Sequence, residues 1–160
     1  MVRISVFGST GKTGQHVVEQ ALARGHTVQA LVRRPEAFTI EHENLDVTQG
    51  DVLAPARWAD RLTGVDAVKR LVLYPILQSI FGASYDDMRR MEQILSASQV
   101  GWTILRPPYL TDAAPKGRYR LGIDAPLKRA ISIGRSDLAA ALLDTISDER
   151  LSRRAVEVAA

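Results

Sequence analysis

The sequence predicts an α/β protein built on a doubly wound parallel sheet in a single domain. Three observations predict it. The first 32 residues read as strand, glycine-rich turn, helix and strand, which is one βαβ unit. Apolar runs of strand length then alternate with helical ones along the rest of the chain. The length of 160 residues suits one domain with ample chain to bury a core.

The opening run "VRISVF" alternates Val2, Ile4 and Val6 with other side chains, as a strand does. "GSTGKTG" follows, with glycines at Gly8, Gly11 and Gly14. Its Gly-Lys-Thr is also the tail of a P-loop, but that motif needs a glycine at the position held by Val6. The spacing is instead that of a dinucleotide turn. Gly8 makes the tight turn out of the strand, Gly11 lets the backbone approach a pyrophosphate, and Gly14 lets the helix pack closely on the strand. The helix that follows offers free N–H groups and a positive dipole end. Val17, Val18, Ala21 and Leu22 share one helical face, Gly25 stops the helix, and "TVQALV" reads as a second buried strand.

"NLDVTQGDVL" is a third strand with its exit, and "APARWADRL" a short helix with proline in its first turn. "SYDDMRRMEQILSASQ" spaces Met88, Met91 and Leu95 helically, with Asp86 and Asp87 at the favourable end. "GWTILRPP" is a strand ended by Pro107 and Pro108, which have no N–H to continue a ladder. "SDLAAALLDTI" is a helix capped by Ser136 or Asp137, and "AVEVA" a last strand. Alternation of this kind places helices on both faces of a parallel sheet.

The end of the second strand chooses the cofactor. A carboxylate there would accept from the ribose hydroxyls and repel a 2′-phosphate, whereas an arginine welcomes it. Arg33 and Arg34 stand at that point, with no acid before Glu36, so NADP(H) is expected over NAD(H). One of the two arginines is expected to be a solvated strand-end residue. Asp51, after the third strand, is placed to meet the adenine edge.

Composition narrows the classes. The absence of cysteine excludes disulfides and thiolate catalysis and fits a cytoplasmic protein. No apolar run reaches the roughly 18 residues a membrane span needs, and no secretory signal precedes the first strand. His16, His26 and His42 share no ligand-like spacing, so no metal is expected. The net charge of +3 is modest, and the arginines of "RLSRR" read as a solvated helix end or turn rather than a nucleic-acid surface.

In this setting "GSTGKTG", "LVRRPE", "GDVLAPA", "MRRMEQILSASQVGWTILRPPYLTD", "GRYRL" and "ISIGRSDLAAALLD" carry a resemblance. The chain resembles the atypical short-chain dehydrogenase/reductases, and among them the NAD(P)H-binding proteins related to biliverdin reductase B (flavin reductase). The resemblance implies a Rossmann-type fold, bound NADP(H) and hydride transfer to a small flavin-, quinone- or biliverdin-like acceptor. By resemblance Gly8, Thr10, Gly11, Thr13 and Gly14 line the pyrophosphate and Arg33 meets the 2′-phosphate. Asp51 and Val52 border the adenine, and Pro107 and Pro108 the nicotinamide end. Lys12 within the loop and Arg34 beside Arg33 complete the expected cofactor-binding set. A non-catalytic NADP(H)-sensing regulator, like the related NmrA-like proteins, is the alternative. The oligomeric state is left open.

Two departures qualify the resemblance. Tyr85 and Arg89 have the Tyr-x-x-x-Lys spacing of a proton relay, but arginine replaces the lysine. Alignment through Glu92 instead puts the usual lysine position at Met88, so Tyr85 is expected at the pocket rim and no catalytic side chain is assigned. Second, "VDAV" runs directly into "KRLVL", where two parallel strands need a crossover of a dozen or more residues. Either residues are omitted between Ala67 and Tyr74 or the sheet is rearranged. The intact core patterns on both sides favour omission, with abnormal Cα spacing expected there.

Overall fold

The computed structural model describes residues 1–51, 97, 101–123 and 125–160, and the chain divides into two compact units, Met1–Ala67 and Val68–Ala160. The helix expected in "APARWADRL", the "VDAV"–"KRLVL" junction with its expected break, Val52 and Tyr85 lie outside the described residues. Of the helix expected in "SYDDMRRMEQILSASQ", Ala97 alone is described, and it is helical.

The first unit contains β1 (Arg3–Phe7), α1 (Lys12–Ala23), β2 (Thr27–Val32) and β3 (Leu45–Gln49). The three strands are parallel in the order β1-β2-β3, with Phe7 opposite Leu31 and Leu31 opposite Thr48. On one face Ile4 and Val6 align with Val28 and Ala30, all four buried. On the other face the central strand buries Gln29, and a buried amide must find partners. Gln29 accepts from Ser5 Oγ at 3.3 Å and donates from Nε2 to Thr48 Oγ1 at 3.1 Å and Asp46 Oδ2 at 3.3 Å. One side chain thus ties all three strands together.

Helix α1 is 12 residues long, too short to persist alone in water. It is held by Val17, Val18, Ala21 and Leu22, all buried along one stripe. Burial of Val17, Val18 and Leu22 contributes about 1.5–3 kcal/mol each. Gly25 ends the helix at φ +76, with Gly25 N–H donating to the Leu22 carbonyl and His26 N–H to that of Ala21, a Schellman closure.

The second unit contains β4 (Thr103–Arg106), β5 (Tyr109–Thr111), β6 (Arg120–Gly122), β7 (Ser132–Gly134), α2 (Arg135–Thr145) and β8 (Arg154–Ala159). β4 and β8 pair in parallel, and β6 runs antiparallel along the other edge of β8. The sheet is therefore not wholly parallel. β5 and β7 form a separate parallel pair. Pro107 and Pro108 end β4 as expected, and the chain resumes at once as β5 on a different partner.

Helix α2 departs from its expected cap. Gly134 is the N-cap, no side chain caps the helix, and both Ser136 and Asp137 are helical. The buried Asp137 carboxylate instead accepts the backbone N–H groups of Lys116 and Gly117, each at 3.0 Å. Arg135 and Asp112 pair nearby, and Tyr119 donates to Asp144, so the segment 112–119 is pinned along α2. Asp137→Ala should leave two donors without their acceptor and lower stability by about 1–3 kcal/mol, read from the urea midpoint. An unchanged midpoint would show that the segment is held without it.

A candidate dinucleotide site at the carboxyl ends of three strands

The glycine turn is built from contacts that each glycine makes possible. Gly8 leaves β1 at φ +72, and the Gly11 N–H closes the turn on the Gly8 carbonyl at 3.0 Å. A Cβ on Gly14 would stand 2.2 Å from the Gly8 carbonyl oxygen and 2.9 Å from Ser9 Cα. The close approach that Gly14 permits is therefore to the turn, rather than to the strand as the spacing suggested. Ser9, which the sequence reading passed over, is fully buried, and its hydroxyl donates to the Leu31 carbonyl at 3.3 Å. That bond fastens the turn to β2. The only sequence signal for it is a small hydroxyl residue directly after the first glycine.

The turn delivers the chain into α1 through Gly11, whose φ of −77° is open to any residue. No side chain caps α1, and its first turn contains no acidic residue. The first amides of a helix have no intrahelical acceptor, so those of Thr13 and Gly14 and the positive dipole end suit an anion. Lys12 is exposed in the same turn. Thr13 is buried and Thr10 exposed.

Arg33 and Arg34 follow the last residue of β2, and both are exposed. Their backbone is fixed: Gln49 Nε2 donates to the Arg33 carbonyl at 3.4 Å, and Ala37 N–H to that of Arg34 at 3.2 Å. Gly50 N–H extends the ladder to Val32 at 2.9 Å and brings half-buried Asp51 to the same end. Among the described residues neither guanidinium has an ion-pair partner. Glu36 sits exposed in the 3-10 turn Pro35–Ala37 that follows. The turn from Gly8 to Gly14, both arginines and Asp51 therefore share the carboxyl end of one three-stranded sheet. The residues fit a phosphate-bearing dinucleotide: helix-start amides with no acidic residue in the first turn of α1, and two guanidinium groups at the next strand end.

The second unit holds a hollow of about 380 Å³. Arg106, Pro107 and Pro108, at the end of β4, line it with Pro126, Leu127, Ala130 and Glu157. Arg106 and Glu157 are cross-strand partners of β4 and β8, and one Glu157 oxygen accepts the Leu127 N–H at 2.8 Å. The walls are mostly apolar, with both charges of that pair on the lining.

A parallel β1-β2-β3 sheet with a glycine turn and an uncapped helix start is the layout of a Rossmann-type dinucleotide-binding unit. The chain belongs to the NAD(P)H-binding family, whose model matches residues 8–73 and 70–149. The two matched segments meet at residues 70–73, inside the run where the sequence lacks a crossover. Solved structures share the fold over nearly the whole chain. A Rossmann-fold NAD(P)-binding family protein from Shigella flexneri superposes with a TM-score of 0.78 at 20% identity, covering 99% of this chain and 93% of that one. A short-chain dehydrogenase/reductase from Veillonella parvula in complex with NADP gives 0.76 at 18%, over 100% and 95%. ChuY, an anaerobilin reductase from Escherichia coli O157:H7, gives 0.75 at 20%, over 98% and 96%. The photosystem II assembly factor Ycf39 of Synechocystis sp. is 36% identical over 69 residues, 42% of this chain. The match spans about a fifth (21%) of that relative's length.

Proposed function

We propose that this protein binds NADP(H) and passes hydride to a small conjugated acceptor of flavin, quinone or biliverdin type. The observation that carries the cofactor choice is the Arg33–Arg34 pair at the end of β2, where a carboxylate would select NAD(H). The NADP complex of the Veillonella relative and the reductase activity in ChuY's name are in keeping with that reading. Bound NADPH supplies hydride, two electrons with one proton, and solvent supplies the second proton that the reduced acceptor takes up. Residues of this chain then have three tasks. The glycine turn and the α1 amides would hold the pyrophosphate, Arg33 would hold the 2′-phosphate, and Asp51 would border the adenine. Pro107 and Pro108 line an apolar hollow within the second unit. NADPH consumption screened against flavins, quinones and tetrapyrroles tests the proposal. Tight NADPH binding without turnover on any of them would refute it and favour the alternative, a regulatory NADP(H) sensor acting through a protein partner. The assembly-factor name of the Ycf39 relative is the observation on that side.

Tyr85 has no catalytic role in this proposal. Tyr85→Phe should leave turnover within about tenfold of wild type, below the typical 10²–10⁴-fold contribution of a general acid. A thousandfold loss with NADPH affinity intact would make it the proton donor. The omission between Ala67 and Tyr74 also stands as a proposal, supported by the two family segments meeting at residues 70–73. Sequencing the coding region across that point tests it: an uninterrupted reading would refute the omission.

A further inference from the structure

Among the described residues, the large apolar side chains that stand exposed are Met1, Val47, Tyr109 and Ile131. The last two are neighbours. Tyr109 opens β5 and is 74% exposed, and Ile131 directly precedes β7 and is 77% exposed. The Tyr109 N–H donates to the Ile131 carbonyl at 3.3 Å. Solitary exposed apolar residues are ordinary, whereas an adjoining pair on a fixed backbone is a candidate contact surface. The backbone here is fixed: β5 and β7 pair from Tyr109 opposite Ser132 to Thr111 opposite Gly134, and the Ala160 N–H donates to the Ser132 carbonyl at 3.1 Å.

The turn that leads into β7 is cationic. Lys128 and Arg129 stand just before Ala130 and Ile131, and both are exposed. Among the described residues neither has an ion-pair partner. Arg120 on β6 brings a third charge to the turn, donating from Nη1 to the Lys128 carbonyl at 3.0 Å and from Nη2 to that of Arg129 at 3.4 Å. Arg129 adopts φ +56, a left-handed conformation that surrounding structure must restrain, and the Arg120 fork supplies the restraint. Glu157 accepts the Leu127 N–H at 2.8 Å and Asp112 pairs with Arg135, so both carboxylates already have partners.

We propose that Tyr109, Ile131 and the Lys128–Arg129 turn form a docking surface for an anionic lipid bilayer. Two large side chains cover far less than the roughly 1,000 Å² that a specific protein interface clears, which disfavours a second copy or an acidic protein as the occupant. A bilayer needs only shallow anchors. Tyrosine suits the headgroup level with its apolar ring and polar tip, and isoleucine reaches the acyl boundary. Each Lys or Arg held near an anionic leaflet strengthens binding about fivefold, an effect that salt screens. Attachment of this kind needs no spanning segment, and among the described residues no helix is long and apolar enough to cross a membrane. The surface belongs to the second unit alone and does not depend on the reductase reading.

The test is cosedimentation of the full chain with vesicles of phosphatidylcholine alone and of phosphatidylcholine mixed with phosphatidylglycerol. Binding to the mixed vesicles is expected to be at least about tenfold tighter at low salt, falling towards parity at about 1 M salt. Lys128→Gln with Arg129→Asn removes both charges, and asparagine suits the left-handed backbone; it should weaken that binding roughly 30-fold. Tyr109→Thr with Ile131→Thr keeps strand-forming residues and should weaken it about tenfold. All four residues are exposed, so melting temperatures should hold in both variants and separate lost docking from lost folding. The proposal requires both variants to weaken binding, and an affinity unmoved by either one overturns it. Equal affinity for neutral and anionic vesicles also overturns it. Failure to bind anionic vesicles, with tight binding to polyglutamate, would assign the patch to an acidic protein segment instead. An oligomer that Tyr109→Thr with Ile131→Thr dissociates in analytical ultracentrifugation would make the patch an interface between copies and equally overturn the lipid assignment.

Discussion

Gly14→Ala is expected to cost about 3 kcal/mol or more in stability and to abolish NADPH binding. The added methyl would stand 2.2 Å from the Gly8 carbonyl oxygen, a distance that no rotamer change can relieve, because the backbone fixes a Cβ and the oxygen is itself a backbone atom. Either the turn or the start of α1 must move, and with it the amides proposed to hold the pyrophosphate. Ser9 resists the movement, since it is buried and bonded to the Leu31 carbonyl. Urea denaturation gives the stability and fluorescence titration the NADPH affinity. Gly11→Ala is the control, because the φ of Gly11 is open to alanine. It should fold normally and lose affinity. A Gly14→Ala protein with wild-type stability and affinity would mean that the turn does not hold the cofactor.

The second large effect is on cofactor choice. Arg33→Asp should weaken NADPH by about 2–3 kcal/mol, roughly 30- to 150-fold, through loss of a charge-assisted contact and a new repulsion of the 2′-phosphate. NADH affinity should hold or improve, because a carboxylate there can accept from the ribose hydroxyls. The matching change at Arg34 should have a smaller effect if that residue is the solvated one of the pair. Isothermal titration with both cofactors measures each term, and equal wild-type affinities for NADH and NADPH would refute the assignment.

Much of the first unit was legible along the chain because its signals are local. Alternation in "VRISVF", the glycine spacing, the stripe from Val17 to Leu22 and the stop at Gly25 all act within a few residues, and each element forms where they place it. Burial of "TVQALV" likewise marked a central strand. The Arg33–Arg34 pair could be placed at a strand end for the same reason. In the second unit, the proline stop after β4 and the last strand β8 were equally readable. β5, β6 and β7 were not, because three residues cannot display a period, and each forms only when a distant strand supplies its ladder.

What the chain settles locally is thus the order of its elements, their ends, and which residues reach the cofactor side of the first sheet. Tertiary packing decided the rest. Asp137 looked like a helix cap because Asp is a common one, but a carboxylate goes to the amides that lack other acceptors. Those belong to Lys116 and Gly117, 21 and 20 residues away in sequence. Ser9 became a fastening because β2 returns its Leu31 carbonyl to the turn, and Gly14 became indispensable because the turn, rather than the strand, lies against it. The loop at Lys128 and Arg129 follows the same rule, its carbonyls held by Arg120, eight and nine positions earlier. Such contacts join residues whose separation in the chain carries no signal, so only the folded backbone specifies them.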